Sequence, residues 1–235
     1  MRDPIRTALR LGRVSNLPTV WTDVMAGLAL NGGTPSPALV VPLALATSLF
    51  YVSGMYLNDA FDHRWDAEHR PDRPIPAGEV SAATVFKAGF LMMGAGLLVL
   101  LLGPGRPLPA LAGLGLAGCI VVYNVSHKAN PLASVVMGLC RVSVYLIAAL
   151  AVAPRLSGAV YTGSALLLAY LVGLTLIARH ETRNPRLPAL VGLLIAGICL
   201  LDGAMLLFTG HPFGAALAVG AFVLTRRWQR RIAGT

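Results

Sequence analysis

LNDAFDHRWDAEHRPDRPIPAG, residues 57–78, follows an almost uninterrupted apolar run and yet carries five acidic residues. They are Asp59, Asp62, Asp66, Glu68 and Asp72, and Glu79 comes directly after the stretch. The whole chain has ten carboxylates, so six of the ten lie at this one place. The position of the stretch and the spacing of its acids predict both the fold and the chemistry.

The composition is that of a helical membrane protein. Of 235 residues, 56% are apolar and only 12% are charged, and the mean hydropathy is +0.70. Soluble domains carry about a quarter charged residues. The three cysteines, Cys119, Cys140 and Cys199, each lie inside an apolar run and are predicted to be packing residues. The N-terminus is basic but lacks the short apolar core and cleavage site of a signal peptide. We expect one domain over residues 1–235.

Apolar runs long enough, or nearly long enough, to cross a hydrocarbon layer of about 30 Å as helices recur along the whole chain. Segments rich in Pro and Gly separate them. The eight predicted spans are residues 17–32, 38–61, 82–103, 108–126, 131–153, 158–179, 188–209 and 212–226. The predicted fold class is an all-α integral membrane bundle of about eight transmembrane helices.

The basic residues sort by side of the membrane. Of 19 Lys and Arg residues, 16 fall on the side of the N-terminus, Arg106 and Arg155 fall on the other, and Arg141 lies inside a helix. Because cytoplasmic loops are enriched in Lys and Arg, this predicts a multi-pass protein of the cell membrane with both termini in the cytoplasm. The net charge of +9 is thereby explained by the bilayer, and a nucleic-acid partner is not expected.

The acids are stacked rather than scattered. On a helix, Asn58, Asp62 and Asp66 stand at i, i+4 and i+8 on one face, and Asp59 flanks it. Stacked carboxylates repel one another, so a cation is expected to neutralise them. Oxygen ligands without His or Cys favour a hard ion such as Mg²⁺, which commonly shares its remaining positions with water and substrate phosphate.

Three arginines follow the acids, at positions 64, 70 and 73, within a loop stiffened by prolines. A metal ion together with Arg64, Arg70 and Arg73 is typical of a site that binds a diphosphate. The alternative is a solvated loop in which the Asp and Arg residues pair with each other, and His63 and His69 are expected to be loop residues.

Four segments carry a resemblance to a known family. They are NDAFDHRWD (58–66), RPDRPIPAG (70–78), RVSNLPTVWTDVMAG (13–27) and YNVSHKANPLASVVMGLCR (123–141). The first two look like the first aspartate-rich motif of the UbiA superfamily of intramembrane prenyltransferases, and the others resemble its opening helix and middle segment. The resemblance covers most of the chain in order.

The resemblance implies a helical fold, usually of nine spans, around a central cavity. There an isoprenyl diphosphate is held by Mg²⁺ and ionises to an allylic cation, which a lipophilic acceptor, often an aromatic ring, attacks. Carried over to this chain, Asn58, Asp59, Asp62 and Asp66 would hold Mg²⁺, with Asp62 and Asp66 catalytic. The residues that would hold diphosphate oxygens are Arg64, Arg73 and Lys128.

The family's second aspartate-rich motif corresponds to LIARHETRNP, residues 176–185, in which Glu181 is the single acid. Glu181 is predicted to be a catalytic ligand at the second metal position, and Arg179 and Arg183 are predicted to contact diphosphate. The alternative is that the second metal is absent and the reaction is slow or different.

Other polar residues within the apolar runs have two interpretations each. Arg141 is predicted to face the cavity, because buried ionisable residues in membrane helices usually face the interior; the alternative is a structural partner for Asp23 or Asp202. Asn16 and Tyr123 are candidates for orienting substrate or for anchoring at the interface. His127 and His180 are expected to be boundary residues.

The leading function is Mg²⁺-dependent transfer of an isoprenyl group from its diphosphate to an acceptor within the membrane. A related enzyme would use a non-aromatic acceptor or cyclise the prenyl chain. A non-catalytic transporter or scaffold of the same fold is the alternative from another class.

Overall fold

The computed structural model describes residues 3–126, 132–178, 187–232 and 234. In these residues α-helices follow one another and there is no β-strand. The helices are α1 (Pro4–Leu11), α2 (Leu17–Leu30), α3 (Pro37–His69), α4 (Ala82–Leu102), α5 (Leu108–Ser126), α6 (Ala133–Val152), α7 (Gly158–Ala178), α8 (Leu187–Phe208) and α9 (Pro212–Gln229). Each of the eight predicted apolar runs therefore coincides with one helix, which confirms the all-helical fold class.

Six of the helices in the described part of the chain, α3 to α8, are long and apolar enough to cross a membrane. The two shortest predicted runs, at α2 and α9, are helical but do not meet that criterion on their own. At 1.5 Å per residue, the 14 residues of α2 span about 21 Å, less than the hydrocarbon thickness. The protein is a multi-pass membrane protein in which α2 is held mainly by its neighbours.

Helix α2 is the centre of the bundle. All but two of its residues are buried, and an apolar helix buried on every side belongs inside a protein rather than against lipid. Its side chains join two clusters of buried residues, one shared with α3, α4, α5 and α6 and the other with α6, α7 and α8. A third, smaller cluster links α2 to α8 and α9.

Helix α3 is much longer than its predicted span of 38–61. Its 33 residues extend about 50 Å, so the C-terminal turns project past a hydrocarbon layer of about 30 Å. The interpretation of His63 and His69 as loop residues is therefore wrong: both lie within α3. The last turns are stabilised locally, because the His69 ring stacks on Trp65 and the Arg70 guanidinium lies 5.5 Å from the same ring.

The segment after α3 turns back and meets α1. Backbone hydrogen bonds within residues 70–79 close successive turns, and Gly78 has a φ of +69°, which favours glycine. Glu79 then accepts a hydrogen bond from Thr7 Oγ1 (2.6 Å) and lies 3.4 Å from Arg10 Nη1. Helix α1 is thus attached to the turn that follows the acidic stretch.

Candidate active site at the cavity mouth

The acidic residues of α3 form one buried face. Asp59, Asp62 and Asp66 expose 6%, 8% and 1% of their surface, whereas Glu68 on the same helix is exposed. Asn58 is half-buried and lies on the adjoining surface of α3. The helical spacing i, i+3, i+7 places the three aspartates on the same side, as the sequence predicts.

Two arginines neutralise this face. Arg73 Nη1 donates to Asp59 Oδ1 at 3.1 Å and to Asp66 Oδ2 at 2.9 Å. Arg13 Nη2 donates to the same Asp59 Oδ1 at 3.2 Å. Some of the acids and arginines do pair with each other, as in the alternative considered above, but the carboxylates are buried on a helix and not spread through a solvated loop.

The three arginines of the acidic stretch have different surroundings. Arg73 is half-buried against the carboxylates, whereas Arg64 is exposed on the outer side of α3. Arg70 is also exposed and packs over Trp65. The structure thus brings Arg73 to the acids and leaves Arg64 and Arg70 at the surface.

The donor chemistry of the acidic face fits a hard cation. Asp66 Oδ1 is buried without a hydrogen bond, and such an oxygen is costly unless a cation or donor meets it. The other acids of this face, Asp59 and Asp62, supply carboxylate oxygens. Among the described residues, however, no group of three or more His, Cys, Asp or Glu side chains is arranged to hold a metal ion. The guanidinium groups of Arg13 and Arg73 are the cations that the described residues place at these carboxylates.

A cavity lies beside the acidic face. Asn58, which precedes Asp59, and Arg13, which pairs with Asp59, line this cavity, whereas Asp59, Asp62 and Asp66 are not among its lining residues. It contains about 1090 Å³ of empty space, counting its open mouth, and its walls are mainly apolar. The walls come from α2, α3, α5, α6, α7 and α8. An apolar chamber is suited to a hydrocarbon chain.

Polar side chains are concentrated on parts of the cavity wall. Asn58 of α3 donates to Asn124 of α5 at 3.2 Å, and both line the cavity. Tyr123 lines it beside Asn124. On the α2 side, Asn16 Nδ2 donates to Tyr51 OH at 3.2 Å and to the carbonyl of Gly234 at 2.9 Å. The structure brings Asn16, Asn58 and Tyr123 to one cavity, and the roles predicted for them stay predictions.

Arg141 combines the two roles considered for it. It lines the cavity, and it also forms an ion pair through Nε with Asp23 and donates through Nη2 to Thr19. Asp202 accepts hydrogen bonds from Thr22 Oγ1 and Tyr145 OH, each at 2.5 Å. Asp23 and Asp202 are fully buried, and buried charges of this kind are stable only when paired or hydrogen-bonded.

Sequence reasoning missed three residues of this region, Arg13, Tyr51 and Asn124. Arg13 looked like one of several cytoplasmic charges before the first span. Tyr51 had a usable signal, because it precedes Asn58 by seven residues, or two helical turns, and so shares its side of α3. Asn124 had one as well, since an amide inside an apolar run needs a hydrogen-bond partner.

Several predicted site residues lie outside the described residues. They are Lys128, Arg179, Glu181 and Arg183, together with His127 and His180. The predictions for them stay predictions.

The sequence is similar to a family of membrane enzymes and to individual members of it. Residues 19–183 match the UbiA prenyltransferase family. The chain is 31% identical over 222 residues to digeranylgeranylglyceryl phosphate synthase of Methanopyrus kandleri, covering 92% of this chain and 77% of that protein. Its identity to the protein of the same name from Natronomonas pharaonis is 30% over 127 residues, or 54% of this chain and 45% of the relative.

The fold has a counterpart among solved structures. A chain from a structural study of digeranylgeranylglyceryl phosphate synthase in membranes superposes with a TM-score of 0.61. The superposition covers 94% of both chains, and the sequence identity is 16%. A likeness at that identity concerns the fold alone.

Proposed function

The chain belongs to the UbiA prenyltransferase family, and on that premise we propose that it transfers an isoprenyl group from its diphosphate to a lipophilic acceptor within the membrane. The carrying observation is the adjacency of an apolar cavity and a buried acidic face. The apolar cavity fits the hydrocarbon tail of the donor, and the acidic face fits a metal-bound diphosphate. This adjacency favours catalysis over a non-catalytic transporter or scaffold, which has no need of stacked carboxylates beside an apolar cavity.

The acidic face is proposed to hold Mg²⁺ through Asn58, Asp59, Asp62 and Asp66, with Glu181 as a ligand from the second motif. When bound, Mg²⁺ neutralises charge that develops on the departing diphosphate. The orphaned Oδ1 of Asp66 supports this assignment. The role of Glu181 rests on the resemblance alone.

Cationic side chains around the face are proposed to bind the diphosphate oxygens. Arg73 and Arg13 already lie at the carboxylates, so their guanidinium groups would hold diphosphate oxygens if Mg²⁺ is bound there. Lys128, Arg64, Arg70, Arg179 and Arg183 remain candidates for the same role on the resemblance and on their charge.

The reaction is a substitution at the first carbon of the prenyl chain. The bond from that carbon to the diphosphate oxygen breaks, and the diphosphate leaves with the electron pair. The acceptor's nucleophile bonds to the same carbon, and its proton passes to the diphosphate. The apolar walls contribute by excluding water, which would otherwise capture the allylic cation.

The acceptor is proposed to be a glyceryl phosphate lipid. The support is the shared name of the relatives, which identifies a glyceryl phosphate product in those proteins. An aromatic acceptor, the type often used in the family, is the alternative that the assays below compare.

The proposal places both termini in the cytoplasm, because the acidic face and the diphosphate it binds then lie on the side where soluble metabolites are made. The distribution of Lys and Arg supports this orientation.

The test is diphosphate release by the purified protein with Mg²⁺ and isoprenyl diphosphates of increasing length, each with a glyceryl phosphate lipid or an aromatic compound present as acceptor. We expect Asp62→Asn to lower release by at least about 100-fold, the size of losing one group that stabilises developing charge. EDTA should have the same effect, and excess Mg²⁺ should reverse it. Glu68→Gln is the matched control, since Glu68 is an exposed acid on the same helix. A wild-type protein that releases no diphosphate with any donor would refute the function.

A further inference from the structure

We propose that Arg141 anchors the anionic head group of the acceptor, a phosphate monoester or a carboxylate, at a point in the cavity separate from the diphosphate site. The inference rests on the proposed function and deepens it. It assigns an arginine inside a membrane helix to the acceptor and not to the donor.

The guanidinium of Arg141 is held in one orientation. Its Nε faces the Asp23 carboxylate and its Nη2 faces Thr19. Thr19 is itself fixed, because its hydroxyl donates to the carbonyl of Asn16 at 2.7 Å. The contacts with Asp23 and Thr19 both come from α2, on one side of the guanidinium.

The remaining donors of Arg141 are available to a ligand. Arg141 lines the cavity with 13% of its side-chain surface exposed. Its Nη1 forms no hydrogen bond with any residue in the described parts of the chain. Arginine has five N–H donors. The contacts with Asp23 and Thr19 use the Nε hydrogen and one Nη2 hydrogen, so the second Nη2 hydrogen and both Nη1 hydrogens remain. The other edge of the guanidinium therefore has the geometry for a two-oxygen anion.

The apolar surroundings make this edge selective for an anion. Val144, Ile198 and Leu174 are among the lining residues, and the cavity wall is mainly hydrocarbon. An anion entering such a chamber loses its hydration and is stable there only against a cation. In the described residues, Arg141 and Arg13 are the cations on the cavity wall, and Arg13 is engaged with Asp59 at the mouth.

Arg141 lies deeper than the acidic face. Asn16 lies at the same depth in the bundle as Tyr51, because the two side chains are hydrogen-bonded. Tyr51 precedes Asn58 by two turns of α3, so both lie about 10 Å deeper than Asn58. Thr19, which contacts Arg141, is one turn further along α2. A diphosphate bound at the acidic face would therefore leave this guanidinium for a second anion.

The distance between Arg141 and the acidic face suits a glyceryl phosphate as acceptor. Its hydroxyl lies a few bonds from the phosphorus, so an acceptor held at Arg141 by its phosphate presents the hydroxyl toward the acidic face. An aromatic carboxylate could use the same anchor and present its ring instead. The shared chemistry is an anionic head held by Arg141.

The experiment compares charged and uncharged acceptors. A glyceryl phosphate lipid is paired with its dephosphorylated alcohol, and an aromatic carboxylate is paired with its amide. The proteins are wild type, Arg141→Gln, Arg141→Lys and the control Arg106→Gln, which changes an exposed arginine between α4 and α5. The donor is kept the same throughout.

We expect the wild type to prefer the charged member of one pair. Arg141→Gln should raise the KM for that acceptor at least about tenfold, the size of one charge-assisted hydrogen bond, and leave the KM for the donor unchanged. The ratio of kcat/KM for the charged acceptor to that for its uncharged partner should fall by the same factor in Arg141→Gln, and Arg141→Lys should recover part of that ratio. The pair that shows the preference identifies the acceptor class.

Two results would overturn the assignment. One is an Arg141→Gln protein that keeps the wild-type preference for the charged acceptor. The other is a rise in the KM for the donor instead, which would make Arg141 a diphosphate ligand while the proposed function stands.

Folding and turnover are controlled separately. Arg141→Gln leaves the Asp23 carboxylate buried without its partner, which can prevent folding. The double variant Asp23→Asn/Arg141→Gln removes both charges and replaces the single variant in the assays if the single variant does not fold. If the wild type shows no turnover, the proposed function fails. Thermal stabilisation by the charged lipid, lost in the double variant, then tests the anchor without catalysis, and equal stabilisation of both proteins would refute it.

Discussion

One carboxylate oxygen of the site has two arginine partners from distant parts of the chain. Arg13 and Arg73 both donate to Asp59 Oδ1, the first from the link between α1 and α2 and the second from the turn after α3. Arg13 has a φ of 43°, in the left-handed region that costs about 1–2 kcal/mol for a residue with a side chain. The ion pair offsets that cost and holds the guanidinium at the cavity mouth.

Arg13→Gln is expected to weaken donor binding. The variant keeps a donor of hydrogen bonds but removes the charge that a diphosphate needs, so the KM for the donor should rise about tenfold. Steady-state kinetics with a fixed acceptor measure the change. Arg6→Gln is the matched control, because Arg6 is an exposed arginine of α1. An unchanged KM for the donor in Arg13→Gln would show that Arg13 only neutralises Asp59.

At the scale of single elements, helix spacing predicted the acidic face correctly but not the length of α3. Spacing is a property of the chain itself, so Asp59, Asp62 and Asp66 fall on one side wherever the helix ends. The end at His69 follows from Pro71, because a proline disfavours the helical conformation of the residue before it, here Arg70. Hydropathy misses this end because the last turns of α3 are polar.

The polar partners inside the bundle were beyond sequence reasoning for a similar reason. Arg141, Asp23 and Asp202 stood out individually as ionisable residues in apolar runs. Which acid faced Arg141 depended on how α2, α6 and α8 pack, and no spacing within one helix determines that.

The contact between α2 and α6 depends on a small residue. A Cβ atom on Gly27 would lie 2.7 Å from the carbonyl oxygen of Tyr145 and 2.9 Å from Ala148 Cβ. Both obstacles belong to the body of α6, so α2 has to move if a methyl group is added. Close approach of helices at small residues is the usual packing device within membranes.

Gly27→Ala is expected to destabilise the protein by about 1–3 kcal/mol, the usual cost of overpacking. The measurement is the thermal transition in detergent. Gly94→Ala in α4 is the control, because a Cβ there has no neighbour within 4 Å; it should be neutral or up to about 1 kcal/mol stabilising. Equal effects of the two changes would mean that α2 and α6 do not pack as described.

At the scale of the whole molecule, the proposed orientation is testable by labelling. A cysteine at Arg106 should react with a membrane-impermeant thiol reagent added to intact cells, because the α4–α5 link is expected to face outward. A cysteine at Glu68 should react only after the cells are opened. Both are introduced after replacing Cys119, Cys140 and Cys199. The reverse pattern would place the acidic face outside and contradict the orientation.

The central position of α2 has a consequence for how the protein is made. This helix is the first long helix of the described chain. Its Thr22 donates a hydrogen bond to Asp202, which is synthesised 180 residues later. At translation rates of 5–20 residues per second, that partner arrives about ten seconds or more afterwards. A helix of 14 residues with a buried acid cannot rest alone in lipid for that time at low cost. A chain truncated after α5 is therefore expected to insert α2 less completely than the full chain, because Asp23 then lacks the arginine of α6 that pairs with it.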